Sequence, residues 1–324
     1  VSVGALDYAH SSPFEVRTYS VTWYGDTTGR DQFQARNMFT GYAGVPPNGH
    51  ALHLYTKGLG KNEFDVPFSD PKTVAQIVQK VSPMYGADKS FSLSIGDGLY
   101  GSDNKTDQEL MSLQWDKRFL TWSVTDAVLK LYAEVAAKLR EKYPASAARV
   151  GFLIYSNMTL PPVLDTPVDP MYFGVFAPID FDPIHAMGDP RSPEKEDLKW
   201  ILGKWTNLLK GRIAIYDYDQ SMLVWRDLPN PSHMAFARDV KTYRDMGVAG
   251  FVTESRNALA TTFTNLYMRG RLMWDPEADP EQLMDDFYGR FFGPAAAPMK
   301  AYWNTIFQAW GDTLVTEHEF FVAP

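Results

Sequence analysis

Short apolar runs rich in β-branched and aromatic residues alternate along this chain with longer stretches of helical periodicity, and no other feature limits its fold so strongly. The strand-like runs fall at 15–23, 51–55, 91–95, 150–155, 171–176, 212–218 and 248–253, and the helical patterns at 30–39, 71–81, 118–142, 194–209, 232–246, 258–274, 280–292 and 295–310. A strand that returns through a helix runs parallel to its predecessor, so this order predicts βαβ units. Val150-Gly-Phe-Leu-Ile and Ile213-Ala-Ile-Tyr are apolar at successive positions, as strands covered on both faces are. The expected fold is therefore α/β, a TIM-like (β/α)8 barrel in preference to an open sheet. No eighth strand is visible, so the barrel is expected to be incomplete or closed by an irregular segment.

Punctuation agrees with this division. Ser69-Asp70-Pro71 supplies a cap and a proline for a helix start, Pro144 ends the long helix, and Gly247 and Gly293 stand where helices stop. Between 96 and 115 the chain is polar and irregular, and reads as a long loop at a barrel mouth. A length of 324 residues admits one barrel or two smaller domains. With no internal repeat, low-complexity tract or linker in view, residues 1–324 are read as one domain, its C-terminal helices at about 275–310 packed on the barrel.

Composition removes several classes of function. The net charge is -8 and no cluster of Lys and Arg stands out, which argues against nucleic acid as a partner. No apolar run approaches the roughly 20 residues that span a bilayer, so no membrane partner is expected. There is no cysteine, hence no disulfide, thiolate nucleophile or zinc–thiolate site. The chain opens at Val1 with no signal-like segment, and is expected to be a processed or trimmed piece of a longer precursor.

In a parallel barrel the loops after the strands form the active face, which raises the interest of polar residues just past each strand. Asp97 ends Phe91-Ser-Leu-Ser-Ile-Gly-Asp97; alternatively it is only the turn residue of a Gly-Asp-Gly loop. Asp217 and Asp219 alternate with Tyr216 and Tyr218, and either carboxylate serves as well to cap the next helix or pair with Arg226. Glu254 follows the run Phe251-Val-Thr, beside Arg256 and Asn257, and a local Glu254–Arg256 contact is the structural alternative. Arg17, Trp23, His50, His53, Tyr155 and Trp225 are further candidates to bind a substrate, although an isolated His is more often surface or satisfied core. No HExxH, GxSxG, P-loop or dinucleotide pattern is present, so no metal and no cofactor is expected.

Glycoside cleavage needs two carboxyl groups in different protonation states, one to protonate the leaving oxygen and one to activate water or attack the sugar. Asp97, Asp217 and Glu254 meet that need with one to spare. Aromatics at 14% of the chain supply flat faces for sugar rings, though most belong to a core.

The order of motifs resembles a bacterial family catalogued as domain of unknown function 4838, which is grouped with the glycoside-hydrolase TIM barrels. The resemblance is carried by Pro13-Phe-Glu-Val-Arg17, by Phe91-Ser-Leu-Ser-Ile-Gly-Asp97 and by Ile213-Ala-Ile-Tyr-Asp217-Tyr. It continues through Gly247-Val-Ala-Gly-Phe-Val-Thr-Glu254, Leu272-Met-Trp274-Asp275-Pro276 and Asp286-Phe-Tyr-Gly-Arg-Phe-Phe-Gly293, the C-terminal half being the more specific. It implies hydrolysis of a glycosidic bond, distant similarity to α-glucuronidases and β-hexosaminidases, and a secreted or periplasmic location. Two departures touch the substrate subsites: residues 99–109 replace a Cys-rich loop, and the segment between His53 and Pro71 is shortened. The N-terminal α/β domain that often precedes this barrel is missing from the sequence.

The leading expectation is a glycoside hydrolase acting on a poly- or oligosaccharide, with Asp97 or Glu254 as general acid and the remaining carboxylates as base or nucleophile. Tyr216, Tyr218, Trp225 and Trp23 would wall the site, and Arg17 would meet the carboxylate of a uronic acid. The alternatives are a non-catalytic carbohydrate-binding barrel and a polysaccharide lyase. Oligomeric state is not legible.

Overall fold

The computed structural model describes residues 9–21, 27–40, 44–179, 181–218, 231–255 and 259–314; the side chains of 19–21, 27, 253–255 and 259–262 lie outside that description. Its strands are β1 (Val16–Val21), β2 (Phe91–Ser92), β3 (Trp115–Asp116), β4 (Thr121–Trp122), β5 (Val150–Ile154), β6 (Tyr172–Phe176), β7 (Ile213–Tyr218) and β8 (Gly250–Ser255). Six of them form one sheet in the order β1-β8-β7-β6-β5-β2, every pairing parallel. The first and last strands of the chain are thus neighbours, as in a barrel. Beyond β2 a single parallel bridge, His50 to Ser94, adds the place of one more strand. Among the described residues no pairing joins that place to β1, so closure of the barrel is not seen there.

Alternation along the strands divides the interior in two. Phe152 and Ile154 of β5, Tyr172 and Phe176 of β6, and Ile213 and Ile215 of β7 belong to the main core, with Tyr132, Leu202, Trp205 and Val240 from the covering helices. Leu153, Phe173, Val175 and Ala214 form a second cluster on the opposite, inner face, joined by Tyr155 and Tyr216. The period of two in a strand sends neighbouring side chains to opposite faces, which is why one apolar sequence serves both cores. Each large apolar side chain buried this way contributes about 1.5–3 kcal/mol.

Two tyrosine hydroxyls at the centre of the main core are matched. Tyr132 and Tyr172 stack at 5.0 Å, the Tyr132 hydroxyl donates to the Leu93 carbonyl at 2.6 Å, and the Tyr172 hydroxyl donates to the Tyr132 carbonyl at 2.8 Å. On the inner face, Pro46 and Pro47 pass so close to Gly151 that a Cβ there would lie 2.1 Å from the Pro47 carbonyl oxygen. Only glycine permits that approach.

Three sequence expectations are corrected. The strand expected at 51–55 is a helix, Leu52–Thr56. Pairing stops at His50 because the Ala51 and Leu52 amides both turn onto the Ser94 carbonyl, which places Leu52 and Thr56, one turn apart, in the core. The helix expected from 118 begins at Thr125 instead, after a hairpin in which Trp115 pairs with Trp122 and Asp116 with Thr121. Leu120, with φ of 48°, makes the turn that helical periodicity could not contain.

The mouth loop read at 96–115 holds the helix Lys105–Met111, whose amides at Thr106 and Asp107 are capped by the Asn104 side chain. Asp107 is fully buried and accepts from the Ser69 amide and the Ser102 hydroxyl. The remaining helices fall close to their expected places, including Pro71–Tyr85, Pro193–Leu209, His233–Asp245 and Leu259–Trp274. Pro280–Phe292 and Ala296–Gly311 pack at the end of the chain, where Phe263 stacks on Phe287 and Phe291 and meets Trp303 edge-on. No described helix is long and apolar enough to cross a membrane.

Candidate active site

Two groups of polar residues stand at the carboxyl ends of the strands, on opposite faces of the sheet. On the inner face, His50 follows from its bridge to Ser94 and Asp97 from the turn after β2. His50 Nε2 lies 3.1 Å from Asp97 Oδ1, while His50 Nδ1 lies 2.6 Å from the Ile95 carbonyl oxygen. A carbonyl oxygen can only accept, so Nδ1 carries a hydrogen. This leaves Nε2 facing Asp97. Asp97 is largely exposed, its side chain 72% accessible, so the pair is open to whatever enters the mouth.

Aromatic rings continue the same face. The Tyr155 ring, just past β5, is 6.1 Å from that of His50, and the rings of Tyr216 and Tyr218, on β7, are 5.3 Å apart. All three tyrosines are half-buried. The backbone of Glu254 pairs in register with Tyr218 on one side and Ser20 on the other.

Asp217 lies elsewhere. It has the parity of Ile213 and Ile215, which face the helices, and its Oδ2 is 2.6 Å from Arg269 Nε of the helix Leu259–Trp274. Arg269 is itself buried, donates to the Ser232 hydroxyl, and sits 4.9 Å over the Phe236 ring. The two form part of a cavity of about 60 Å³ that Asp182, Lys195, Tyr218, Ser232, Asp239 and Tyr243 also line.

Burial dominates the electrostatics of this helix-side cavity. It pushes Asp239 up to about 6, against the attraction of Lys195 and a hydrogen bond from the Met187 amide. Burial, helped by the Arg269 charge, pushes nearby His233 down to about 4. Asp182 is desolvated too, yet hydrogen bonds from Ser192, the Ile184 amide and His185, whose Nδ1 is 2.6 Å away, hold it below the usual carboxylate range.

The structure thus joins four of the expected residues with a fifth, His50 with Asp97, Tyr155 beside them, and Tyr216 with Tyr218 along the same face. Asp217 pairs with Arg269 and not with Asp97, in a cavity that Tyr218 lines as well, so the described contacts do not assemble the expected three-carboxylate site around Asp97. Arg17 is corrected as well. Its guanidinium is buried, donates to the carbonyls of Phe14 at 2.5 Å and Met38 at 3.0 Å, and lies 5.3 Å over Trp274, so it holds the first strand to the last helices and has no place to meet a sugar carboxylate. His53 sits half-buried on the helix Leu52–Thr56. Trp23, Asp219, Trp225, Arg256 and Asn257 lie outside the described residues.

Sequence reasoning missed Asp182, Asp239 and Arg269. Asp182 follows β6 by a few positions, and the strand-end rule applied to the Phe-Asp-Pro at 181–183 would have found it. Asp239 and Arg269 lie inside helices far along the chain and carry no local signal. Among the described residues, no group of three or more His, Asp or Glu is arranged to hold a metal ion.

The model of the family described as Domain of unknown function (DUF4838) matches residues 10–304. No curated protein matches the sequence. Two solved structures are similar to it at 10% identity: an O-GlcNAc hydrolase variant from Thermobaculum terrenum, with a TM-score of 0.47 and 90% of this chain covered, and a GH138 enzyme targeting pectin rhamnogalacturonan II, with a TM-score of 0.23 and 91% covered. The chain spans 66% of the first protein, just under two thirds, and 43% of the second.

Proposed function

We propose that this chain, which belongs to the DUF4838 family, is a glycoside hydrolase that uses Asp97 with His50 as its proton donor and Glu254 as its second carboxylate. The observation that carries the proposal is the His50–Asp97 contact at a strand end, with Nδ1 of the same ring fixed on a carbonyl. A carboxyl group beside an imidazole at the mouth is suited to proton transfer, and a glycosidic oxygen needs a proton as it leaves. Tyr155, Tyr216 and Tyr218 supply apolar faces with hydroxyl tips, a surface suited to a sugar ring.

Glu254 enters through its register position. Beside Tyr218 at the end of β8 it stands where a barrel enzyme keeps its reacting groups, and no other carboxylate in β8 competes for the role. Acting as base, it would draw a proton from water; acting as nucleophile, it would form a glycosyl ester that water then opens. The substrate is taken no further than a glycosidic bond in an oligo- or polysaccharide. A uronic acid was expected to meet Arg17, and that guanidinium is already held by two carbonyls.

The test is release of reducing ends from a panel of oligosaccharides by the wild-type chain and by the Asp97→Asn and Glu254→Gln variants. Turnover by the wild type that both variants lose by 100-fold or more supports the assignment, the usual scale for a positioned acid or base being roughly 10²–10⁴. Sugar affinity with no turnover on any substrate would make the chain a binding module.

A further inference from the structure

We propose that Trp115 and Trp122 form a platform on which one ring of a polysaccharide chain stacks while another part of the same chain occupies the mouth beside Asp97. The inference rests on the carbohydrate reading given above and extends it to a binding site away from the reacting groups.

The hairpin of β3 and β4 is inverted with respect to burial. Trp115 and Trp122 face each other across it, 49% and 43% exposed, while Asp116 on its other face is fully buried. A hairpin held only by the hydrophobic effect would place the tryptophans inward and the carboxylate outward. Exposed large aromatics mounted on a firm base are a mark of a recognition surface.

The base is firm. Asp116 accepts from the Arg118 amide at 2.9 Å, and the Arg118 guanidinium reaches Asp197 at 3.4 Å and lies 4.6 Å over Phe181. From the other side, the fully buried Asn157 donates to the carbonyls of Trp122 and Tyr100 and accepts from the Tyr100 amide. The same Asn157 stands two residues past Tyr155, and Tyr100 three past Asp97. The platform is therefore tied through Asn157 to the loops that carry the mouth.

The ring geometry selects the occupant. The indoles meet at 5.0 Å and 84°, so one offers its face while the other stands as a wall beside it. A pyranose presents weakly positive C–H groups on a flat face, which suit the negative face of an indole, and hydroxyls around its edge. Lys117, paired with Asp197 at 2.9 Å next to the hairpin, offers both a donor and an acceptor for those hydroxyls. With the cation already matched by a carboxylate, the surface favours a neutral ring over a charged ligand.

The test measures binding apart from turnover. In the Asp97→Asn background, migration is compared in native gels containing mixed-linkage β-glucan, glucuronoxylan or polygalacturonate, with and without Trp115→Ala and Trp122→Ala together. Retardation by the neutral β-glucan above that by polygalacturonate, weakened tenfold or more by the double alanine variant and partly restored by Trp115→Phe with Trp122→Phe, is the expected result. Equal retardation of both proteins, or none in any gel, overturns the platform. So does a dimer in sedimentation that only the alanine variant abolishes, which would make a second copy the occupant. An unchanged denaturant midpoint shows that the variants remain folded. Tryptophan-dependent retardation in a chain that hydrolyses nothing would leave the platform standing and remove the hydrolase.

Discussion

The two faces of β7 carry the same residue types to opposite ends. Inward, Tyr216 and Tyr218 border a mouth where Asp97 is largely exposed and meets His50 at 3.1 Å. Outward, Asp217 meets a buried arginine in a cavity crowded with Asp182, Lys195 and Asp239. A carboxylate that already has a fixed cation at 2.6 Å has spent its charge on the fold, whereas one exposed at the mouth beside an imidazole can take part in proton transfer. The difference teaches that a strand-end position does not by itself make a carboxylate reactive; which face it leaves by, and what waits there, decides.

The largest effect that would break this comparison is on the mouth. Asp97→Asn is expected to lower kcat by about 10²–10⁴ on whatever glycoside the chain hydrolyses, with the denaturant midpoint unchanged. If the loss were equal in Asp217→Asn, the division between the faces would be wrong.

The helix-side pair is expected to act on stability. Arg269→Met leaves Asp217 with its charge and without its cation, at a cost of about 3–5 kcal/mol in chemical denaturation. A loss below about 1 kcal/mol would show that solvent already screens the pair.

Two buried groups sharpen the comparison through pH, with opposite signs. Asp239, raised to about 6, is favoured neutral; its stabilising effect is complete below the ordinary aspartate range and is lost as pH rises through 6. His233, lowered to about 4, is also favoured neutral; its effect is complete above pH 6.5 and is lost as pH falls through 4. Each shift corresponds to at most about 3 kcal/mol. Asp239→Asn is therefore expected to stabilise the protein above pH 6 and leave stability that falls as pH drops from 6.5 to 4, and His233→Leu to leave stability that rises over the same descent. Urea midpoints measured at intervals from pH 4 to 8 read both slopes, and slopes of the same sign would contradict the burial of one group.

The smallest expected effect is the most discriminating. Asp217→Asn keeps an acceptor for Arg269 and should change kcat by no more than a few-fold. A steady-state assay of that variant beside Asp97→Asn separates an outward structural carboxylate from an inward reacting one.

Most of the parallel framework was legible. The runs at 150–155, 171–176 and 212–218 lie within a residue of β5, β6 and β7, because strands covered on both faces must be continuously apolar. The run at 51–55 misled for a physical reason. Five residues of Ala-Leu-His-Leu-Tyr satisfy either period, and the choice fell to the Ser94 carbonyl, which takes two amides and turns the chain into a helix. The positions of Tyr155, Tyr216 and Tyr218 at strand ends were legible from the strand pattern. Their common face was not, since it depends on register.

By itself the sequence determined the alternation of strand and helix, the absence of thiol chemistry and the set of strand-end residues from which a site can be drawn. Those are properties of neighbours along the chain. Only the tertiary structure decided that His50 reaches Asp97, that Arg17 is held by carbonyls, that Arg269 meets Asp217, and that a hairpin turns two tryptophans outward over a buried aspartate. Each joins residues that are far apart in sequence or placed by strand parity, and no local pattern encodes a partner that packing alone brings near.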